Sequence, residues 1–346
     1  MTGRYKSAID EAAAELARLS DTPSLRAILF SPKSPNFCPE ENRAAMFLGV
    51  EFNVLPEPNE LFRQSLHYDV CIVDCHDNNE ETVFMKFRSG NLAKLYFAWL
   101  WDNHHHPLHS FRTAMLADVV FVAHWRVRVS FNHPGVLPGA HMPACARQWS
   151  PALISRHYPK GLPVERSNAL YGGYGHYDWA PERNALITRL RQRHPVSAVS
   201  STDLNLYWRL PVEERLRSWV SHKVHLAIPI ANDLSSRVFD ALITGQIPLV
   251  PDSVTDLDLV VPPGAQAQLP ILRYRANSLD SIDSAYREAI QRFDSDGAVG
   301  VKRRYDFVRE EHSLSARLEA FARFIRTRHD FKLGGEGGLA VWQNWI

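Results

Sequence analysis

The stretch Asn232-Asp233-Leu234-Ser235-Ser236-Arg237-Val238-Phe239-Asp240-Ala241-Leu242 gathers the groups that a bound diphosphate would use. An apolar run leads into Asn232 and Asp233, and a helix is predicted to start near Ser235. The first N–H groups of a helix lack intrahelical partners, and the helix dipole is positive at that end, so the start attracts an anion. Ser235 and Ser236 add hydroxyls there, and Arg237 adds a fixed positive charge. Asp240, early in the same helix, has a carboxylate able to accept hydrogen bonds from a ribose diol. The plainer alternative makes Asp233 or Ser235 an N-cap and leaves Asp240 on a solvated face.

Two other stretches are rich in chemistry. Trp99-Leu100-Trp101-Asp102-Asn103-His104-His105-His106-Pro107-Leu108-His109 crowds imidazoles after an apolar strand. Such a cluster could bind zinc, with Asp102 orienting one ring, but the spacing matches no zinc pattern and no Cys stands near it. A solvated loop with one His packed on Trp101 is the alternative. Gly172-Gly173-Tyr174-Gly175-His176-Tyr177-Asp178 reads as a glycine turn, where backbone approaches a phosphate or sugar closely or simply reverses. Arg183 opens the helix that follows, and either reaches a phosphate or lies on the solvated face. Asp74, His76 and Asp77 end another strand, as acceptor contacts, a base, or solvated loop residues. Cys71 and Cys75 share pleat parity on that strand, which suits core packing better than redox chemistry.

These loops need strands and helices to hold them. Apolar runs at Leu25–Phe30 and Tyr68–Asp74 read as strands, and those at Ala93–Leu100 and Ala117–Val122 as strands covered on both faces. A further strand is expected over Glu51–Leu55, with a helix over Asn42–Gly49 leading into it. Helices are expected over Tyr5–Leu19 and Glu80–Arg88. The pattern lapses into Pro, Gly and mixed charge between Ser150 and Arg166, where a domain boundary is expected. It then restarts with strands at Asn168–Tyr171, Val224–Ile228, Ile247–Val250 and Ile271–Tyr274. Helices are expected at Pro181–Arg193, Ser235–Thr244, Leu279–Phe293 and Leu314–Thr327. Strands alternating with helices argue for two successive parallel α/β domains, about 1–155 and 165–313. The 346 residues suffice for both, and 39 Lys+Arg against 38 Asp+Glu argue against a chain-wide nucleic-acid or membrane field. Four cysteines suggest no disulfide framework, and the sequence shows no export signal or apolar span, so a cytoplasmic protein is expected.

The run Ser236-Arg237-Val238-Phe239-Asp240-Ala241-Leu242-Ile243-Thr244-Gly245-Gln246-Ile247-Pro248-Leu249-Val250 resembles the donor-binding signature of group-1 glycosyltransferases, most nearly the spore-maturation-type branch. The resemblance implies a GT-B fold, two Rossmann-like domains facing across a cleft, and allows residues 314–346 to return to the first. It implies that Asp240 holds the nucleotide ribose, and that Ser235, Ser236 and Arg237 lie at the diphosphate. His105 or His104, with His106 next and Asp102 beside them, is implied at the catalytic position of the first domain. Gly173 and Asn232 complete the expected donor set, and His76, Asp77 and Trp101 are the acceptor-side candidates. Where retaining members carry a second acidic residue, this chain has Asn232, beside Asp233. The expected activity is metal-independent glycosyl transfer in polysaccharide synthesis, without a cofactor. The substrates would be a nucleotide sugar and a glycan, lipid-linked or protein acceptor. A nucleotide-sugar epimerase, a two-lobed binding protein and an inactive scaffold are the competing readings.

Overall fold

The computed structural model describes residues 2–31, 44–55, 67–75, 80–101, 107–125, 136–174, 177–194, 198–201 and 204–327. By its internal contacts the chain divides into two units, residues 1–144 with 314–346, and residues 145–313. In the first unit the Ala/Glu/Leu segment forms α1 (Thr2–Ser20), followed by β1 (Leu25–Phe30). Strands β2 (Ala44–Phe47) and β3 (Val50–Leu55) follow, then β4 (Tyr68–Cys75), α2 (Glu80–Ser89) and β5 (Ala93–Leu100). Helix α3 (Pro107–Ala114), β6 (Val119–Val122) and β7 (Leu137–His141) complete the sheet. Its order is β2-β3-β1-β4-β5-β6-β7, parallel throughout except for β2.

The helix expected over Asn42–Gly49 is replaced, from Ala44 onward, by a hairpin. Ala44 pairs with Asn53 and Phe47 with Val50. The linking residues Leu48 and Gly49 both have positive φ, 48° and 73°. That is the hand of turn that matches strand twist in a two-residue hairpin. Helix-forming Ala and Met at 44–46 are thus overruled by the turn.

Both faces of this sheet are covered. Phe84 and Phe87 of α2 and Ala114 of α3 pack with Ile28, Cys71, Val73 and Tyr96 on one side. Opposite, Phe97, Trp99 and Phe121 meet Phe321 and Phe324 of the C-terminal helix Leu314–Arg326, with ring centroids 4.6–5.9 Å apart. Each buried Phe contributes about 1.5–3 kcal/mol, so this helix belongs energetically to the first unit. Arg326 then anchors it, donating to the carbonyls of Leu48, Gly49, Pro23 and the end of α1.

The second unit begins at Cys145, ahead of the Pro/Gly stretch. Within that stretch Ser150 caps α4 (Pro151–His157), accepting from the Leu153 N–H. Strand β8 (Ser167–Tyr174), α5 (Pro181–Arg193), β9 (Ala198–Ser201), α6 (Leu204–Arg209) and α7 (Val212–Val220) follow. Next come β10 (His222–Leu226), α8 (Ser236–Ile243), β11 (Ile247–Pro251), α9 (Leu257–Val260) and α10 (Pro263–Gln268). Strand β12 (Leu272–Tyr274) and the long α11 (Leu279–Glu311), broken at Gly297, close the unit. The sheet is fully parallel, ordered β12-β11-β10-β8-β9. Both units are therefore Rossmann-like α/β folds. Among the described residues no helix is long and apolar enough to cross a membrane.

Helix α8 ends where the sequence turns at Gly245. The Gly245 N–H donates to Leu242 and the Gln246 N–H to Ala241, both at 2.8 Å, with Gly245 at φ 80°. This paired closure demands a left-handed residue. Arg166 donates to the Thr244 carbonyl at 2.9 Å and Arg304 to the Gly245 carbonyl at 3.0 Å, so two guanidiniums cap the helix. A Cβ at Gly245 would sit 2.7 Å from Val301 and 2.9 Å from Arg166. Gly245→Ala is expected to cost about 1–3 kcal/mol, from backbone strain plus crowding, measured by urea denaturation. An unchanged unfolding midpoint would mean the turn relaxes freely.

Candidate functional site

In the second sheet the chain order reverses at β8, with β9 on one side and β10 on the other. Ligands of open parallel sheets bind beyond the strand ends at such a switch point. Tyr174 ends β8 there and is fully buried. Its hydroxyl donates to the Leu226 carbonyl at the end of β10 and accepts the Ile228 N–H at 3.0 Å. This explains why β8 runs through Gly172 and Gly173 instead of turning, as the glycines suggested. A Cβ at Gly172 would lie 2.8 Å from the Tyr174 ring, so glycine makes room for it. Gly173 pairs with Ser200 inside the strand.

Two guanidiniums share the Tyr174 ring. Arg237 from α8 lies 4.9 Å from its centroid and Arg183 from α5 lies 5.0 Å away. Arg183 also stands 5.2 Å over Tyr177 and donates weakly, at 3.4 Å, to the Ile228 carbonyl. Burial pulls Arg183 below its ordinary pKa, and the charge of Arg237 acts in the same direction. Two like charges held together at a helix start favour a ligand of opposite sign.

The approach to that helix is fixed by a tight turn. Ala231 and Asn232 have φ of 48° and 61°, while Asp233 accepts the Ile230 N–H at 2.7 Å. Asparagine tolerates this left-handed conformation well, which gives exposed Asn232 a backbone role whatever else it touches. Ser235 is the N-cap, its hydroxyl oxygen accepting from the Arg237 N–H at a long 3.4 Å. Ser235, Ser236 and Arg237 are all partly exposed, as an anion site needs.

Asp240 is different. It is wholly buried, and its Oδ1 accepts the backbone N–H groups of Arg147 and Gln148 at 2.8 and 2.9 Å. Its Oδ2 is buried without a hydrogen-bond partner. The carboxylate thus faces inward, neither on a solvated face nor open to a ribose in this conformation. Gln148 in turn accepts from the Tyr207 hydroxyl, which accepts from the Trp219 indole at 2.9 Å. Trp219 stacks on His225, with centroids 4.5 Å apart; both His225 nitrogens are unpartnered and burial keeps the ring neutral.

Burial pushes the Asp240 carboxyl up to about 7, against the N–H groups of Gln148 and Arg147 and the charge of Arg237. The folded chain therefore keeps this proton to higher pH than the unfolded chain does, where it leaves near 3.8. The resulting stabilisation is complete below about pH 4 and is lost as pH rises through about 7. Denaturation between pH 4 and 8 should show this decline in the wild type relative to Asp240→Asn. Parallel pH profiles of the two proteins would refute it.

No protein-family model matches the chain, and no curated protein matches it. Among solved structures it is similar to sucrose-phosphate synthase from Thermosynechococcus elongatus. That likeness has 11% identity and a TM-score of 0.48, over 88% of this chain and 98% of that one. It is similar to the catalytic domain of starch synthase IV from Arabidopsis thaliana bound to ADP and acarbose. Here identity is 9% and the TM-score 0.45, over 78% and 76% of the two chains. A GtfA/B complex is similar at 15% identity and a TM-score of 0.39, over 78% of this chain and 60% of that one.

The remaining candidates belong to the first unit. Trp101 is buried, its ring 4.8 Å from that of Trp99. Asp74 is also buried at the end of β4 and accepts from the Ser31 hydroxyl. Asp102, His104, His105, His106, His76 and Asp77 lie outside the described residues. Among the described residues no group of His, Cys, Asp and Glu is arranged to hold a metal. The two features that sequence reasoning missed are the Tyr174 ring as a shared platform and the contact from Arg147 and Gln148 to Asp240. Aromatic Tyr174 stood in the quoted glycine stretch, but nothing local announced the second.

Proposed function

We propose that this chain is a glycosyltransferase of the GT-B type. It moves a glycosyl group from a nucleotide diphosphate sugar to an acceptor hydroxyl, in the synthesis of a bacterial glycan or polysaccharide. The observation that carries the reading is the pairing of Arg183 and Arg237 on Tyr174 at the start of α8. It stands beside the Ser236–Val250 signature. Breaking the bond between sugar and diphosphate leaves negative charge on the phosphate and positive character on the ring. Fixed cations and helix N–H groups at the phosphate stabilise that charge as it develops. The donor in this reading rests on the second unit, and the acceptor on the first.

In this reading the imidazole comes from residues 102–106. His105 or His104, oriented by Asp102, hydrogen-bonds the leaving phosphate or the incoming hydroxyl. If the transfer inverts configuration, a base must take the acceptor proton, and Asp77 and His76 are the alternatives to these histidines. No metal has a part in these steps.

The test is incubation with a panel of nucleotide sugars and glycan, lipid-linked and protein acceptors, followed by mass spectrometry. Nucleoside diphosphate release with a heavier acceptor supports the proposal. An isomerised donor means an epimerase, and binding without turnover means a non-catalytic protein. EDTA is expected to leave turnover unchanged. Activity lost to EDTA and restored by zinc would instead give His104, His105 and His106 a metal.

A further inference from the structure

Asp240 is an unusual group to find in the wall behind an anion site. It lies three residues beyond Arg237 on α8, and so about one helical turn behind the guanidinium. One oxygen ties the Arg147–Gln148 backbone to the helix, and the other is enclosed without a partner. The charges acting on it come from Arg237 on α8 and Arg147 on the incoming segment, both favouring the carboxylate. Tyr207 on α6 is coupled to it as well. His312, beyond α11, stacks on the neighbouring Phe239 at 4.4 Å.

We propose that Asp240 is a positioning residue that holds the Arg147–Gln148 backbone against α8, and that diphosphate binding at the start of this helix is coupled to protonation of Asp240 Oδ2. The inference rests on the donor site proposed above. A diphosphate beside Arg237 offsets the positive field that favours the carboxylate, in a setting where burial already favours the acid. A proton from solvent then forms the new O–H bond, and the anion and the proton bind together. Above neutral pH the proton is scarcer, so binding weakens.

Calorimetry at pH 7 in two buffers of different ionisation enthalpy tests this with UDP, ADP, GDP and inorganic pyrophosphate. The wild type should take up more protons per bound diphosphate than Asp240→Asn, by up to about half a proton. From pH 6 to 8 its affinity should fall roughly three- to tenfold relative to the variant. Asp240→Asn should shift pyrophosphate and nucleoside diphosphates alike, because the effect travels through the helix. Equal proton uptake in both proteins would overturn the coupling. Loss confined to the nucleoside diphosphates would overturn the positioning role in favour of a direct ribose contact. Should the variant fail to fold, wild-type proton exchange at pH 7 that equals the release from the ligand's own terminal phosphate, with no uptake beyond it, would be decisive against the proposal. Absence of binding by all four ligands would remove the donor site itself, whereas binding without uptake removes only this inference.

Discussion

Arg237→Ala is expected to weaken nucleoside diphosphate binding about ten- to a hundredfold, the scale of a charge-assisted hydrogen bond worth about 1.5–3 kcal/mol. Arg183→Ala should lose a comparable amount, because both guanidiniums lie on the same Tyr174 ring. Binding of the bare nucleoside should hardly change in either variant, since the lost contacts are to phosphate. The double variant should lose less than the sum. Removing one arginine relieves the repulsion that raises the energy of the other, and residues sharing a partner do not add. Calorimetric titration of the four proteins reads this directly. Wild-type affinity for diphosphate in the double variant would mean that the anion binds elsewhere.

His105→Ala or His104→Ala should lower glycosyl transfer by a factor of about ten to a thousand with donor affinity little changed. The reasoning is that the imidazole meets charge or a proton only as the bond breaks, so it stabilises the transition state and not the bound donor. A fall in turnover at constant KM for the donor is the expected signature. Full activity in both variants would move the chemistry to Asp77 or His76. A rise in KM with unchanged kcat would make the histidines binding groups only.

Much of this fold can be read from hydrophobic runs alone. Leu25–Phe30, Ala93–Leu100 and Pro181–Arg193 are strands and a helix as their patterns require. The failures share a cause. The Ala44–Phe47 strand has helix-forming residues, and its pairing depends on positive φ at Leu48 and Gly49. The Gly172–Gly173 pair looks like a turn until the Tyr174 ring is laid over it. Ser235 announced a helix start because capping is local. The burial of Asp240 was invisible because its partners, Arg147 and Gln148, are more than ninety positions away in the chain. Local chemistry is legible in a sequence, whereas the company a side chain keeps is set by tertiary packing.

The two arginines behind α8, Arg304 buried and Arg166 half-buried, have an electrical consequence at long range. Arg166 and Arg304 are lowered by burial to about 9 and about 10, and so remain charged at neutral pH. They sit on the carbonyls that form the negative pole of a helix only about 12 Å long. A dipole with both poles intact fades quickly with distance, because its ends cancel. With the rear pole offset by cations, an approaching anion meets an attraction that decays more nearly as that of a single charge. Such a field extends until salt screens it, over about 8 Å at physiological ionic strength. Arg304 therefore bears on how fast a diphosphate is captured from solution, and far less on how tightly it is gripped once bound.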